Sequence, residues 1–151
     1  MKGVKPVCKK QYNFKSLWLY GIAEPLTGET FFEELPELNR EIFQGFINRF
    51  SEKHKHCLNI IIADRSRCHT SRKIELPDNI VMKFIPPYSP ELNPMERLWE
   101  SMKDKIAENN EVYDNPDNLS DKISEIVRRM SDKVVKNLTF SSYIKEYFDN
   151  A

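Results

Sequence analysis

Apolar and polar positions along this chain fall into blocks whose spacing changes from element to element. Leu17-Trp18-Leu19-Tyr20-Gly21-Ile22 is short, apolar and rich in aromatic residues, as expected of a buried strand. Glu24-Pro25-Leu26-Thr27-Gly28-Glu29 reads as a turn, and Thr30-Phe31-Phe32 resumes as a strand, so the two runs predict a hairpin. From Asn39 the period lengthens. Phe43, Phe46, Ile47 and Phe50 recur at i, i+3, i+4 and i+7, which predicts an amphipathic helix with Asn39 as its N-cap.

Cys57-Leu58-Asn59-Ile60-Ile61-Ile62-Ala63 is almost entirely apolar and predicts a central strand covered on both faces, ending at Asp64. After a polar segment, Ile80-Val81-Met82-Lys83-Phe84-Ile85 supplies another strand. A helix is predicted from about Pro94 to Ile106, with Met95, Leu98, Trp99, Met102 and Ile106 on one face. Beyond a polar break at 109–118, Leu119, Ile123, Ile126, Val127, Met130 and Val134 predict one further helix. Phe140, Tyr143, Ile144, Tyr147 and Phe148 predict a short terminal one. Trp18 and Trp99 lie in apolar runs and are expected in the core. The order predicts a mixed α/β layer in one domain over 1–151, with its core at 17–110 and C-terminal helices at 118–148.

A chain of 151 residues, 40% apolar and 30% charged, can bury one real core, which excludes a disordered chain. No apolar run approaches the ~20 residues of a membrane span, and no signal peptide opens the sequence. Three cysteines (Cys8, Cys57, Cys68) cannot all pair within one chain, which favours a reducing, cytoplasmic setting. Charge adds direction only through its distribution. The 23 basic and 23 acidic residues cancel, but Lys2, Lys5, Lys9, Lys10 and Lys15 form one basic cluster, and Arg65, Arg67, Arg72 and Lys73 form another. Such clusters fit a phosphate-backbone surface; solvated side chains explain them equally well.

Two carboxylates stand at element ends. Asp64 lies where a buried strand runs out, a position at which open α/β sheets build sites. Glu96 lies in the first turn of a helix, behind the stiff run Ile85-Pro86-Pro87-Tyr88-Ser89-Pro90-Glu91-Leu92-Asn93-Pro94. If the intervening strand lies beside the Asp64 strand, the helix start returns near Asp64. Two such groups suit Mg²⁺ or Mn²⁺, and paired ions can cleave phosphodiesters. Local roles compete: Asn93-Pro94-Met95-Glu96 is also a good capping box, and Asp64 could simply cap the turn that follows its strand. A zinc site among His54, His56, Cys57, Cys68 and His69 matches no common spacing, and Cys68 lacks the partners of a nucleophile.

Ile62-Ala63-Asp64, then His69, a Leu-Pro step, a strand, and Pro86-Pro87-Tyr88-Ser89-Pro90-Glu91-Leu92-Asn93-Pro94-Met95-Glu96-Arg97-Leu98-Trp99 closely resemble the DDE-superfamily endonuclease domain of mariner-like insertion-sequence transposases. Tyr20-Gly21-Ile22, Pro25 and Thr27-Gly28 resemble that family's early strand pair. The likeness covers roughly residues 3–110. It implies an RNase H-like fold, three acidic ligands for two Mg²⁺ or Mn²⁺ ions, and cut-and-paste transposition on DNA, at transposon ends and target. By position, Asp64 matches the second acidic residue and Glu96 the third, as catalytic and metal-binding groups. His69 matches a histidine that commonly follows the second, a DNA-binding candidate alongside Arg65, Arg67, Arg72 and Lys73. The family's first acidic residue lies on a strand before the segment resembling Gly3-Val4-Lys5-Pro6, and Met1 stands just there. Glu24, the nearest upstream acid beside a strand, matches a turn position instead. The resemblance therefore predicts an N-terminally truncated domain with its first strand missing. Alone it would bind metal weakly and cut DNA little or not at all. The upstream half of the transposase and a second copy of the chain are its candidate protein partners, and a frameshifted second reading frame and a decayed remnant both fit this reading. Two alternatives stand beside it: a non-catalytic DNA-binding or assembly module derived from a transposase, and a nuclease of the same fold with another substrate.

Overall fold

The computed structural model describes residues 17–89, 92–108, 113 and 115–140. Strands β1 (Trp18–Ala23) and β2 (Thr30–Leu35) form the antiparallel hairpin, in register from Trp18 opposite Leu35 to Ala23 opposite Thr30. Its turn closes through hydrogen bonds from the Glu24 amide to the Glu29 carbonyl and from the Gly28 amide to the Glu24 carbonyl, both 2.8 Å. Gly28 sits at φ 84°, a conformation open to glycine and strained for other residues.

Helix α1 (Arg40–Lys53) begins where predicted: the Asn39 side chain accepts from the Ile42 amide at 2.8 Å. Strands β3 (Asn59–Ala63) and β4 (Ile80–Phe84) then pair in parallel, Asn59 opposite Ile80 and Ala63 opposite Phe84. The α1 face formed by Phe43, Phe46, Ile47 and Phe50 packs on Tyr20 of β1, Ile61 of β3 and Ile80 of β4. Burying each such side chain stabilises by about 1.5–3 kcal/mol, so this one helix cements both strand pairs.

Its two flanks reveal the strand order. Arg49 on one flank forms a bidentate pair with Glu33 of β2. On the opposite flank, Gln44 exchanges hydrogen bonds with the backbone of Glu75, and Ser51 bonds Asn79, both in the segment leading to β4. The pairs β1–β2 and β3–β4 therefore lie side by side under α1 with β1 and β3 innermost. They are two separate two-stranded sheets, and among the described residues nothing pairs with the inner edges of β1 and β3.

Helix α2 (Pro94–Ala107) and helix α3 (Pro116–Arg129) cover the other face of the hairpin, where Leu17, Leu19, Phe32 and Trp99 surround Met102, Ile123 and Ile126. Gly21 admits this close packing: a Cβ there would lie 2.4 Å from the Phe32 ring and 2.8 Å from that of Trp99. Helix α4 (Asp132–Thr139) completes the layer.

Three expectations are corrected. Among the described residues β3 is covered on one face only, with Ile60 61% and Ile62 48% exposed, because α2 and α3 pack on the hairpin instead. The single helix expected through Val134 breaks at Met130. Ser131 caps α4 there by accepting from the Val134 amide, and Val135 becomes the buried residue while Val134 is exposed. Trp18 is partly exposed, whereas Trp99 packs edge-on against Phe32. The terminal helix expected at 140–148 falls, apart from Phe140, outside the described residues.

Candidate active site

The parallel register delivers two chain segments to one place. Since Ala63 lies opposite Phe84, Asp64 and Ile85 leave the pair at the same end, and the Ile85 amide extends the ladder by donating to the Ala63 carbonyl at 3.0 Å. Pro86 and Pro87 then stiffen the chain as it crosses to α2, whose N-cap Asn93 accepts from the Met95 amide at 3.2 Å. The outcome is a cleft of about 290 Å³ lined by Asp64, Arg65, Ile85, Pro86, Pro87, Tyr88, Ser89, Asn93 and Glu96. Two carboxylates with 31 residues between them in sequence thus line one cavity.

Asp64 is held firmly. Its Oδ1 accepts from the Ser66 amide at 2.9 Å and meets His69 Nδ1 at 2.8 Å. The turn-capping role weighed for Asp64 is therefore real, and it coexists with a place in the cleft. Burial, the largest single influence, raises the Asp64 pKa. The Ser66 amide, the His69 charge and hydrogen bond, and the Ser66 side chain together outweigh it and hold the carboxyl below its ordinary value. The His69 ring is backed by Phe43 of α1, with centroids 4.6 Å apart, so the core braces the group that braces Asp64.

Glu96 does not complete a capping box. Its Oε1 takes a long bond, 3.4 Å, from the Asn93 side-chain amide rather than from the N-cap backbone N–H. Its carboxylate therefore remains in the cleft wall. Arg65 also lines the cleft. Its Nε donates to the Ile85 carbonyl at 3.4 Å and its guanidinium lies 5.9 Å from the centre of the Phe84 ring.

The other basic candidates are placed differently. Arg67 and Arg72 are exposed and outside the cleft lining, and Lys73 lines a separate groove with Gln44, Asn48 and Glu75. Ser66, Asn93 and Tyr88 contribute to the site beyond the roles their sequence positions announced. The Asp-x-Ser spacing of an Asx-turn was the available signal for Ser66. Cys57 and Cys68 are free thiols.

The profile of the DDE superfamily endonucleases matches residues 1–120. This chain belongs to that family. A curated relative, the uncharacterized protein y4pE/y4sA of Sinorhizobium fredii (strain NBRC 101917 / NGR234), is 34% identical over 95 residues, covering 61% of this chain and 69% of the relative. Among solved structures, the Mos1 transposase paired-end complex with left transposon end superposes with a TM-score of 0.71 at 17% identity, over 92% of this chain. The DDE endonuclease chain spans 44% of that Mos1 chain. The RNase H-like mixed α/β fold implied by the sequence is thereby borne out.

A divalent cation suits this family in kind, and the cleft offers oxygen donors from two carboxylates. In number the fit is partial: among the described residues no group of three or more His, Cys, Asp or Glu side chains is arranged to hold a metal. Among those residues, too, no helix is long and apolar enough to cross a membrane.

Proposed function

We propose that this DDE endonuclease chain is the C-terminal part of a transposase of a cut-and-paste insertion element, contributing two of three carboxylates to a Mg²⁺- or Mn²⁺-dependent DNA-cleaving and strand-transfer site. The observation that carries this reading is the shared cleft of Asp64 and Glu96 at the end of the parallel strand pair. Asp64, kept ionised by Ser66 and His69, and Glu96, oriented by Asn93, are the metal ligands. The ions, when bound, activate water or a 3′-hydroxyl and neutralise charge on the leaving oxygen. Arg65 at the cleft wall receives the DNA backbone, with Arg67, Arg72 and Lys73 as more distant phosphate contacts.

The third carboxylate is assigned to a strand added between the inner edges of β1 and β3, from the upstream part of the enzyme. The inner edges, unpaired among the described residues, support this, since a sheet position flanked by two such edges is a template for a strand. On this reading the chain alone cleaves DNA little or not at all. The partial ligand set also favours a second reading, a DNA-binding or assembly module without chemistry.

Mn²⁺ binding followed by electron paramagnetic resonance, together with a plasmid-nicking assay, tests both. The first reading expects weak Mn²⁺ binding that Asp64→Asn and Glu96→Gln abolish, and no nicking until the upstream polypeptide is supplied. Mg²⁺-dependent nicking by the purified chain, lost in Asp64→Asn, would show that the site is complete without a partner. Metal binding indifferent to both substitutions, with DNA binding retained, would leave the second reading.

A further inference from the structure

Tyr88 combines two unfavourable features at one residue. Its backbone lies at φ 59°, the only non-glycine residue with positive φ among those described. For a bulky L-residue this conformation is strained. Its ring is also fully exposed, at 101%, so it contributes no burial to the fold. Neither feature serves stability, and backbone strain of this kind concentrates at binding and catalytic sites. Tyr88 lies in the wall of the cleft that holds Asp64, Glu96 and Arg65, directly after the rigid Pro86-Pro87 pair.

We propose that Tyr88 is a stacking platform for an unpaired DNA base next to the phosphodiester held in the cleft. The proposal rests on the DNA-cleaving reading above and adds the recognition element for the nucleotide. A duplex base has both faces occupied by its neighbours, so an exposed ring can stack only on a base that is single-stranded or turned out of the helix. Arg65 lies in the same wall, tied to the Ile85 carbonyl and set against Phe84. A base on Tyr88 and its adjoining phosphate near Arg65 would be held at two points, fixing the nucleotide beside the carboxylates. Stacking tolerates any base identity, so this subsite selects an unpaired state rather than a sequence.

The test uses the full chain without divalent metal and DNA carrying 2-aminopurine, either in a single-stranded overhang or within a fully paired duplex. Stacking quenches the probe. Wild-type protein should bind the unpaired form with quenching, and Tyr88→Phe should behave alike. Tyr88→Ala should weaken that binding by about 5- to 150-fold, the range for one base–aromatic stack, and leave paired-duplex binding within about twofold. Tyr88→Gly accepts the backbone conformation without strain, so an equal loss of binding there rules out misfolding as the cause. Unchanged binding in Tyr88→Ala, equal losses in Phe and Ala, or no preference for the unpaired probe in wild type would each overturn the proposal. The metal-site reading fails separately, by Mn²⁺ binding that survives Asp64→Asn.

Discussion

Replacing Gly28 by alanine should be among the most damaging single-methyl additions to this protein. Two independent effects add. The left-handed backbone at φ 84° costs an L-residue with a Cβ roughly 1–2 kcal/mol. The new Cβ would also lie 2.2 Å from the Asp132 carbonyl oxygen and 2.7 Å from the Asp132 carbonyl carbon and Cα. These are backbone atoms at the start of α4, which cannot rotate aside as a flexible side chain would. Forced displacement of packed structure costs roughly 1–3 kcal/mol, for a total of about 2–5 kcal/mol. In a domain of this size that lowers Tm by roughly 4–20 °C. Urea denaturation of wild type, Gly28→Ala and Gly28→Asn would separate the contributions, since asparagine tolerates the left-handed region better but carries the same Cβ. Asparagine should recover part of the loss and not all of it. A Gly28→Ala cost below about 1 kcal/mol would refute the close approach of turn and helix.

Two further substitutions probe the site and the core. Because the folded Asp64 pKa is depressed, its ionised form contributes stability that is present above the unfolded value near ~3.9 and lost as pH falls through the folded value. His69→Ala removes two of the lowering influences, so the Asp64 carboxyl should titrate at higher pH by NMR and acid unfolding should begin earlier; an unmoved titration would contradict the pairing. Leu98→Ala removes a side chain with 0% exposure from the helix that carries Glu96, and should cost about 2–5 kcal/mol by chemical denaturation.

Much of this arrangement was legible before the structure. Apolar, aromatic-rich runs split by a Pro- and Gly-marked turn identified the hairpin, and period-3.6 spacing identified α1 and α2, because an amphipathic helix advertises the face it buries. The Pro86–Pro94 run and its Glu96 were legible for a different reason: prolines and an N-cap constrain the backbone locally, so their order in sequence is their order in space. Where reading failed, the physics was non-local. Ile60 and Ile62 are as apolar as Ile61, and nothing in an apolar run tells which of its faces a distant helix will cover. Met130 and Val134 continued the helical spacing, but Ser131 offered a competing N-cap that a pattern of apolar positions does not weigh. The strain at Tyr88 was equally silent, since backbone dihedrals leave no mark on composition.

The side-chain bond between Glu34 of β2 and Ser120 of α3, 86 residues later, has a consequence for the making of the protein. During synthesis the hairpin emerges first, with one face able to meet α1 at once. Its other face waits for α2 and α3. At about 5–20 residues per second, β2 stands without its α3 partner for roughly 4–17 s. Until α2 arrives, Leu19 and Phe32 lie bare on a two-stranded ribbon, a structure marginal by itself in water, and their cover stays incomplete until α3 follows. The nascent chain is thus a client for chaperones until its C-terminal half arrives, and a stop codon before α3 should yield an aggregating product rather than a smaller folded domain.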